Sequence, residues 1–183
     1  MPYTVIPTAL PDVLILEPRV FEDERGSFHE SYNARDFAAA TGLVREFVQD
    51  NHVHSHARVL RGMHYQRERP QGKLVRVLRG EILDVAVDVR RGSATFGQHV
   101  AVRLVAEDRR QLWVPEGFAH GYLVTSDGAE VAYRTTDYWA PGDEHCLLWN
   151  DPALGIDWPI AGAPVLSAKD AAGLPLAELP AVG

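Results

Sequence analysis

The chain has 183 residues, 46% of them apolar, with a formal net charge of −7; that is enough for one domain with a real hydrophobic core, and the acidic balance argues against broad nucleic-acid or anionic-membrane binding, which needs a basic face. No apolar run approaches the length that spans a bilayer, and Met1-Pro2-Tyr3-Thr4-Val5 carries no basic segment leading into an apolar stretch, so no secretory signal is expected. The single cysteine, Cys146, excludes an internal disulfide and fits a cytoplasmic location. In chain order, Asp12–Phe21 opens with a short apolar β-type run, and Asp23-Glu24-Arg25-Gly26 is a turn. Asn33 is placed to cap a helix over Ala34–Thr41 with Gly42 as its stop, the one helix the pattern predicts. Phe47–His52 reads as a strand, followed by strands at Leu74–Leu78, Ile82–Val89, Val100–Val105, Gln111–Val114, His120–Val124 and Val131–Thr135, with turns between them. Many short strands with little helix imply an all-β sandwich or barrel, and a double-sheet jelly roll is favoured, forming one domain over 1–183. From Pro141 the chain is expected to be irregular and proline-rich, anchored on the barrel by Trp149 and Trp158.

The stretch from Val59 to Lys73 concentrates chemistry in a strand-like setting. Strict alternation fails at Gly62, which predicts a bulge or a close backbone approach there. Arg61 offers a rigid fork suited to phosphate, His64 is of the side-chain type whose unperturbed titration lies nearest neutrality, and Lys73 is a compact cation after a Pro-Gln-Gly turn. Together they suggest acid–base chemistry on an anionic substrate. The competing reading makes Arg61 and Lys73 solvated charges and His64 a satisfied core histidine.

His52, His54 and His56 alternate, so on a strand their imidazoles share one face, as metal ligands do; no carboxylate or thiolate at a fixed spacing completes a site, which favours a polar edge strand. Pro115-Glu116-Gly117-Phe118-Ala119-His120 resembles the second motif of the cupin superfamily. The first cupin motif is incomplete: His64-Tyr65-Gln66 has Gln66 where a second metal-binding histidine would stand.

A closer resemblance covers nearly the whole chain. Asp23–Gly26, Phe47–His52, Val59–Gln66, Gln71–Arg76, Phe96-Gly97, Pro115–Gly121, Thr135–Tyr138, Trp149–Pro152 and Leu166-Ser167-Ala168-Lys169-Asp170, in that order, resemble the dTDP-4-dehydrorhamnose 3,5-epimerase family. The resemblance implies a homodimeric cupin jelly roll without metal or cofactor, acting on a dTDP-4-keto-deoxysugar in activated L-rhamnose synthesis. It implies His64 as base with Asp170 as its partner, Lys73 near the C4 oxygen, and Tyr133 as the acid on the opposite face. Arg25, Glu30, Gln49, Asn51, Arg61, Lys73, His120, Glu144 and Lys169 match substrate-binding positions, and Phe21 and Phe28 match candidates for stacking on thymine, from the partner subunit as one option.

The chain departs from the pattern at Ser27-Phe28-His29, where a run of phenylalanines is common, and at Trp139, where a second tyrosine often follows Tyr138. An indole packs but does not donate a proton at neutral pH, so Trp139 bears on the balance between 3- and 5-epimerisation. His54, His56 and His99 also stand outside the pattern. Rival readings are a single-site epimerase, a metal-dependent cupin oxygenase using the histidine row, and a non-catalytic sugar-nucleotide-binding cupin.

Overall fold

The computed structural model describes residues 3–180 and 182. Its strands are β1 (Thr4–Pro7), β2 (Leu14–Glu17), β3 (Phe21–Asp23), β4 (Gly26–Phe28), β5 (Gln49–His56), β6 (Leu60–Gln66), β7 (Lys73–Arg79), β8 (Glu81–Asp88), β9 (His99–Val105), β10 (Gln111–Val114), β11 (Phe118–Val124), β12 (Gly128–Thr135) and β13 (Glu144–Cys146); α1 spans Ala34–Thr41 and α2 Ala168–Ala171. A six-stranded sheet, β1-β2-β10-β7-β12-β5, and a five-stranded sheet, β13-β6-β11-β8-β9, are antiparallel throughout and form the two layers of a cupin-type jelly roll. β3 and β4 make a separate hairpin. The described segments include no helix long and apolar enough to cross a membrane.

Side-chain alternation explains how one chain covers three apolar layers. Along β10, Leu112 and Val114 point between the sheets while Trp113 points outward beneath α1. Along β8, Ile82 and Ala86 face the inter-sheet core, and Val85 and Val87 face a layer formed by Leu147, Leu154, Leu179 and Val182 from the C-terminal segment. Both faces of these strands are therefore covered, which is why they read as continuous apolar runs. Helix α1 has the expected bounds: Asn33 Oδ1 accepts from the backbone N–H of Arg35 and Asp36, and Gly42, at φ +73°, closes the end by donating to Ala38. Its Phe37 is buried edge-on to Trp113 and Phe47, a burial that contributes about 1.5–3 kcal/mol.

The region after Pro141 is more ordered than its prolines suggested. It contributes edge strand β13 and the one-turn helix α2, capped by Ser167. Trp158 Nε1 donates to the Trp149 carbonyl, and Trp158 packs on the outer face of the five-stranded sheet. The strand expected from Phe47 starts at Gln49. Its register sends Gln49, Asn51, Val53 and Ser55 toward the other sheet, and His52, His54 and His56 to the exposed face. His52 there meets Glu130, and the His54 and His56 rings lie edge to face. The only group of three or more His, Cys, Asp or Glu ligand atoms within metal-holding distance among the described residues lies elsewhere, so the histidine row does not form a three-ligand site.

Candidate active site

A cleft of about 420 Å³ opens between the two sheets, lined from the five-stranded sheet by Arg61, His64, His120 and Tyr122 and from the six-stranded sheet by Asn51, Lys73 and Tyr133. The approach of Arg61 and His64 to one cavity depends on Gly62. His120 pairs with His64 but Tyr122 with Arg61, so β6 carries one extra residue across this interval. This bulge changes the phase of the alternation: residues three apart face the cleft, while Met63 and Tyr65 go to the outer apolar layer. Gly62 stands at φ +116°, and a Cβ there would lie 2.6 Å from Gly121 Cα and 2.7 Å from the His120 carbonyl oxygen. Only glycine fits this approach.

His64 Nε2 is 2.6 Å from Asp170 Oδ1, and His64 Nδ1 is 3.8 Å from Glu144 Oε1. Asp170 is held by α2, its backbone N–H donating to Ser167 Oγ. Burial opposes its charge, but hydrogen bonds from His64, Ser167 and the Gly62 backbone, together with attraction to His64, outweigh burial and lower its pKa. Glu144 is lowered in the same way: burial raises it, and Lys169, Trp139 and His64 more than compensate. Its Oε2 accepts from Trp139 Nε1 at 3.1 Å and pairs with the Lys169 ammonium.

Lys73 is buried, and its Nζ donates to the His64 carbonyl oxygen at 3.2 Å. Burial pushes its pKa down to about 8, against the attraction of Glu144 and Asp84. Tyr133 enters from the opposite sheet; burial, with Tyr122 and Glu144 nearby, raises its pKa, and among the described residues its hydroxyl has no hydrogen-bond partner. His120 Nε2 sits 2.6 Å from the fully buried Asp84. Arg61 Nε donates to Ser55 Oγ at 2.9 Å, and Ser55 in turn meets the Tyr122 hydroxyl. The Trp139 backbone N–H donates to Gln49 Oε1, and Gln49 Nε2 donates to Asn51 Oδ1, leaving Asn51 Nδ2 as a buried donor with no partner among the described residues.

The model of the dTDP-4-dehydrorhamnose 3,5-epimerase family matches residues 7–178. This chain belongs to that family. It is 59% identical to the dTDP-4-dehydrorhamnose 3,5-epimerase of Pseudomonas aeruginosa, over 93% of this chain and 94% of that protein. Among solved structures, the 3,5-epimerase of Legionella pneumophila in complex with dTDP-4-keto-L-rhamnose superposes with a TM-score of 0.95 at 48% identity, covering 97% and 95% of the two chains. A 3'-monoepimerase of Streptomyces bikiniensis in complex with dTDP-quinovose is similar at a TM-score of 0.88 and 35% identity, covering 93% and 87%. Epimerases are isomerases, and this chain carries the fold of that class of enzyme.

Of the family positions expected from sequence, His64, Lys73, Tyr133, Asp170, Gln49, Asn51, Arg61, His120, Trp139, Glu144 and Lys169 line the one cleft. Arg25, Phe21 and Phe28 do not. They line a shallow pocket on the β3–β4 hairpin, where Arg25 pairs with Asp23 and Phe28 is 64% exposed. Glu30 lies outside the cleft of its own chain and accepts from Asn33 Nδ2. Sequence reasoning missed Val53, Gln71, Tyr122, Thr135 and Ser167, which also line the cleft. Val53, Tyr122 and Thr135 stand two residues beyond Asn51, His120 and Tyr133, so strand parity alone places them there.

Proposed function

We infer that this enzyme converts dTDP-4-dehydro-6-deoxy-α-D-glucose into dTDP-4-dehydro-β-L-rhamnose, inverting C3 and C5. The observation that carries the reading is that a hydrogen-bonded imidazole–carboxylate pair, His64–Asp170, and a partner-free phenol, Tyr133, stand on opposite walls of one cleft. Inversion next to a ketone needs a base on one face and an acid on the other. With Nε2 committed to Asp170, Nδ1 is the basic atom; it takes the proton from C3 or C5, and Asp170 holds the ring tautomer and stabilises the imidazolium. The electron pair moves onto the C4 oxygen as an enolate, where the Lys73 ammonium stabilises it. Tyr133 then gives its proton to the same carbon from the other face. Burial keeps Tyr133 neutral and ready to donate. The imidazolium returns its proton to solvent and the phenolate is reprotonated before the second carbon reacts. Arg61 supplies a fork for the diphosphate, and Asn51, Gln49, His120, Glu144 and Lys169 surround the sugar.

We further infer a homodimer in which each β3–β4 hairpin reaches the partner's cleft, bringing Arg25 to the diphosphate, Phe21 and Phe28 to thymine, and Glu30 alongside. The support is that these side chains project from an exposed hairpin outside their own cleft. Mixing Arg25→Ala and His64→Ala proteins tests this. Hybrid dimers then contain one site with both native groups, so activity above that of either parent is expected. No gain on subunit exchange would refute the crossing.

A second reading, epimerisation at one carbon only, is favoured by Trp139, which takes a hydrogen-bonding place at Glu144 where a second phenol is often found. Proton NMR of the substrate incubated with enzyme in deuterated water separates the two. Loss of both the C3 and C5 signals supports the 3,5-epimerase, and loss of one selects the alternative.

A further inference from the structure

The chain's only cysteine has no part in proton transfer, yet it stands beside the groups that do. Cys146 ends β13 directly opposite His64 in the β13–β6 register. Its Sγ is 4.0 Å from Asp170 Oδ1, and one ligand atom each from His64, Cys146 and Asp170 lie within 4.8 Å of one another. This is a sulfur, nitrogen and oxygen donor set, of which His64 and Asp170 line the cleft. We propose that His64, Cys146 and Asp170 form a binding site for a thiophilic divalent cation of the zinc class, and that its occupation shuts the enzyme off by capturing the catalytic base.

The spacing is close to what such an ion requires. Tetrahedral zinc bonds of about 2.0–2.3 Å put neighbouring ligand atoms roughly 3.3–3.7 Å apart. Here the nitrogen–oxygen pair is tighter, at 2.6 Å, and the sulfur–oxygen pair wider, at 4.0 Å, so the ion opens one gap and closes the other by side-chain rotation. The donor set excludes magnesium and calcium, which take oxygen ligands. Glu144 Oε1, 3.8 Å from His64 Nδ1, stands where a metal-bound histidine's outer carboxylate partner is normally found. Lys73 and Lys169 oppose a cation and are matched by Asp170 and Glu144; burial and Asp170 push the Cys146 thiol up to about 11, so the sulfur becomes an anion only as its bond to the ion forms. On binding, the thiol proton leaves to solvent as the sulfur–metal bond forms. The imidazole proton moves from Nε2 to Nδ1, so His64 keeps its neutral charge and gives Nε2 to the ion.

Binding is tested with Cd2+ on the purified protein, read through the thiolate-to-cadmium charge-transfer band. One band-forming equivalent per chain is expected. Cys146→Ala should abolish the band, and His64→Asn should keep it while weakening affinity at least about tenfold, the loss that even an outer partner of a metal ligand produces. In turnover assays Zn2+ should inhibit reversibly with a chelator, and Cys146→Ala, active without metal, should need at least about tenfold more Zn2+ for the same inhibition. No thiolate band in the native protein, or equal zinc sensitivity in Cys146→Ala, would overturn the proposal. The inhibitory consequence rests on His64 being the base; the band is read without substrate and decides the site even if the epimerase assignment fails.

Discussion

Replacing Lys73 by Met separates what the buried ammonium does for catalysis from what it costs the fold. Burial lowers its pKa from the ordinary 10.5 to about 8, and at about 1.4 kcal/mol per pH unit this corresponds to about 3 kcal/mol of stability that the folded protein lacks while the lysine is charged in both states. Because the folded-state value is the lower one, the unfolded chain binds more protons between pH 8 and 10.5. Stability attributable to this residue therefore rises with pH through that window and is at its lowest below pH 8. The assay is urea unfolding of the native enzyme and Lys73→Met at several pH values, taking the difference between the two proteins so that the titration of tyrosines and Cys146 cancels. The native enzyme should gain about 3 kcal/mol relative to the variant between pH 7.5 and 10.5. Turnover of the variant should fall by about 100-fold or more, as for loss of an oxyanion-stabilising group. Parallel pH profiles for the two proteins would refute the claim that burial holds the ammonium at a cost, and unchanged turnover would remove it from the enolate.

His64→Ala should fold, still bind dTDP, and lose about 100- to 10,000-fold in kcat, the range of a general base; near-native turnover would remove it from the chemistry. Asp170→Asn keeps the shape of the pair but removes the charge that stabilises the imidazolium, so kcat should fall by about as much with KM little changed. Tyr133→Phe should still exchange α-hydrogens with deuterated solvent through His64 while forming inverted product far more slowly, and equal loss of exchange and inversion would count against an acid on the opposite wall. Gly62→Ala, with its Cβ driven against Gly121 and His120 at a positive φ, should cost about 2 kcal/mol or more in denaturant unfolding.

Local rules made much of the fold legible. The α1 bounds followed from Asn33 and Gly42, because a cap satisfies orphan backbone groups using residues within one turn of it. The close approach at Gly62 followed from a break in alternation, and strand β10 from its apolar run. Strand β13 and helix α2 were not legible. β13 is three residues long and forms only because β6 offers an open edge, and α2 is a single turn whose Ser167 cap gains meaning once Asp170 reaches His64. The histidine row illustrates the limit of alternation: it places His52, His54 and His56 on one face but leaves open which face, and β12 pairing with its neighbour turned that face to solvent.

By itself the sequence determined most of the long strands, helix α1, the family and the residue types that acid–base chemistry at a keto sugar requires. The elements rest on interactions within a few residues, the residue types on the chemistry of single side chains, and the family on the resemblance of its ordered motif blocks. Only the tertiary structure decided that His64 pairs with a carboxylate 106 positions away, that Tyr133 faces it from the other sheet, that Cys146 lies against that pair, and that the β3–β4 hairpin stands apart from its own cleft. The physical reason is that a catalytic geometry is a set of distances between groups far apart in the chain, and those distances are fixed by how two sheets close over a shared core.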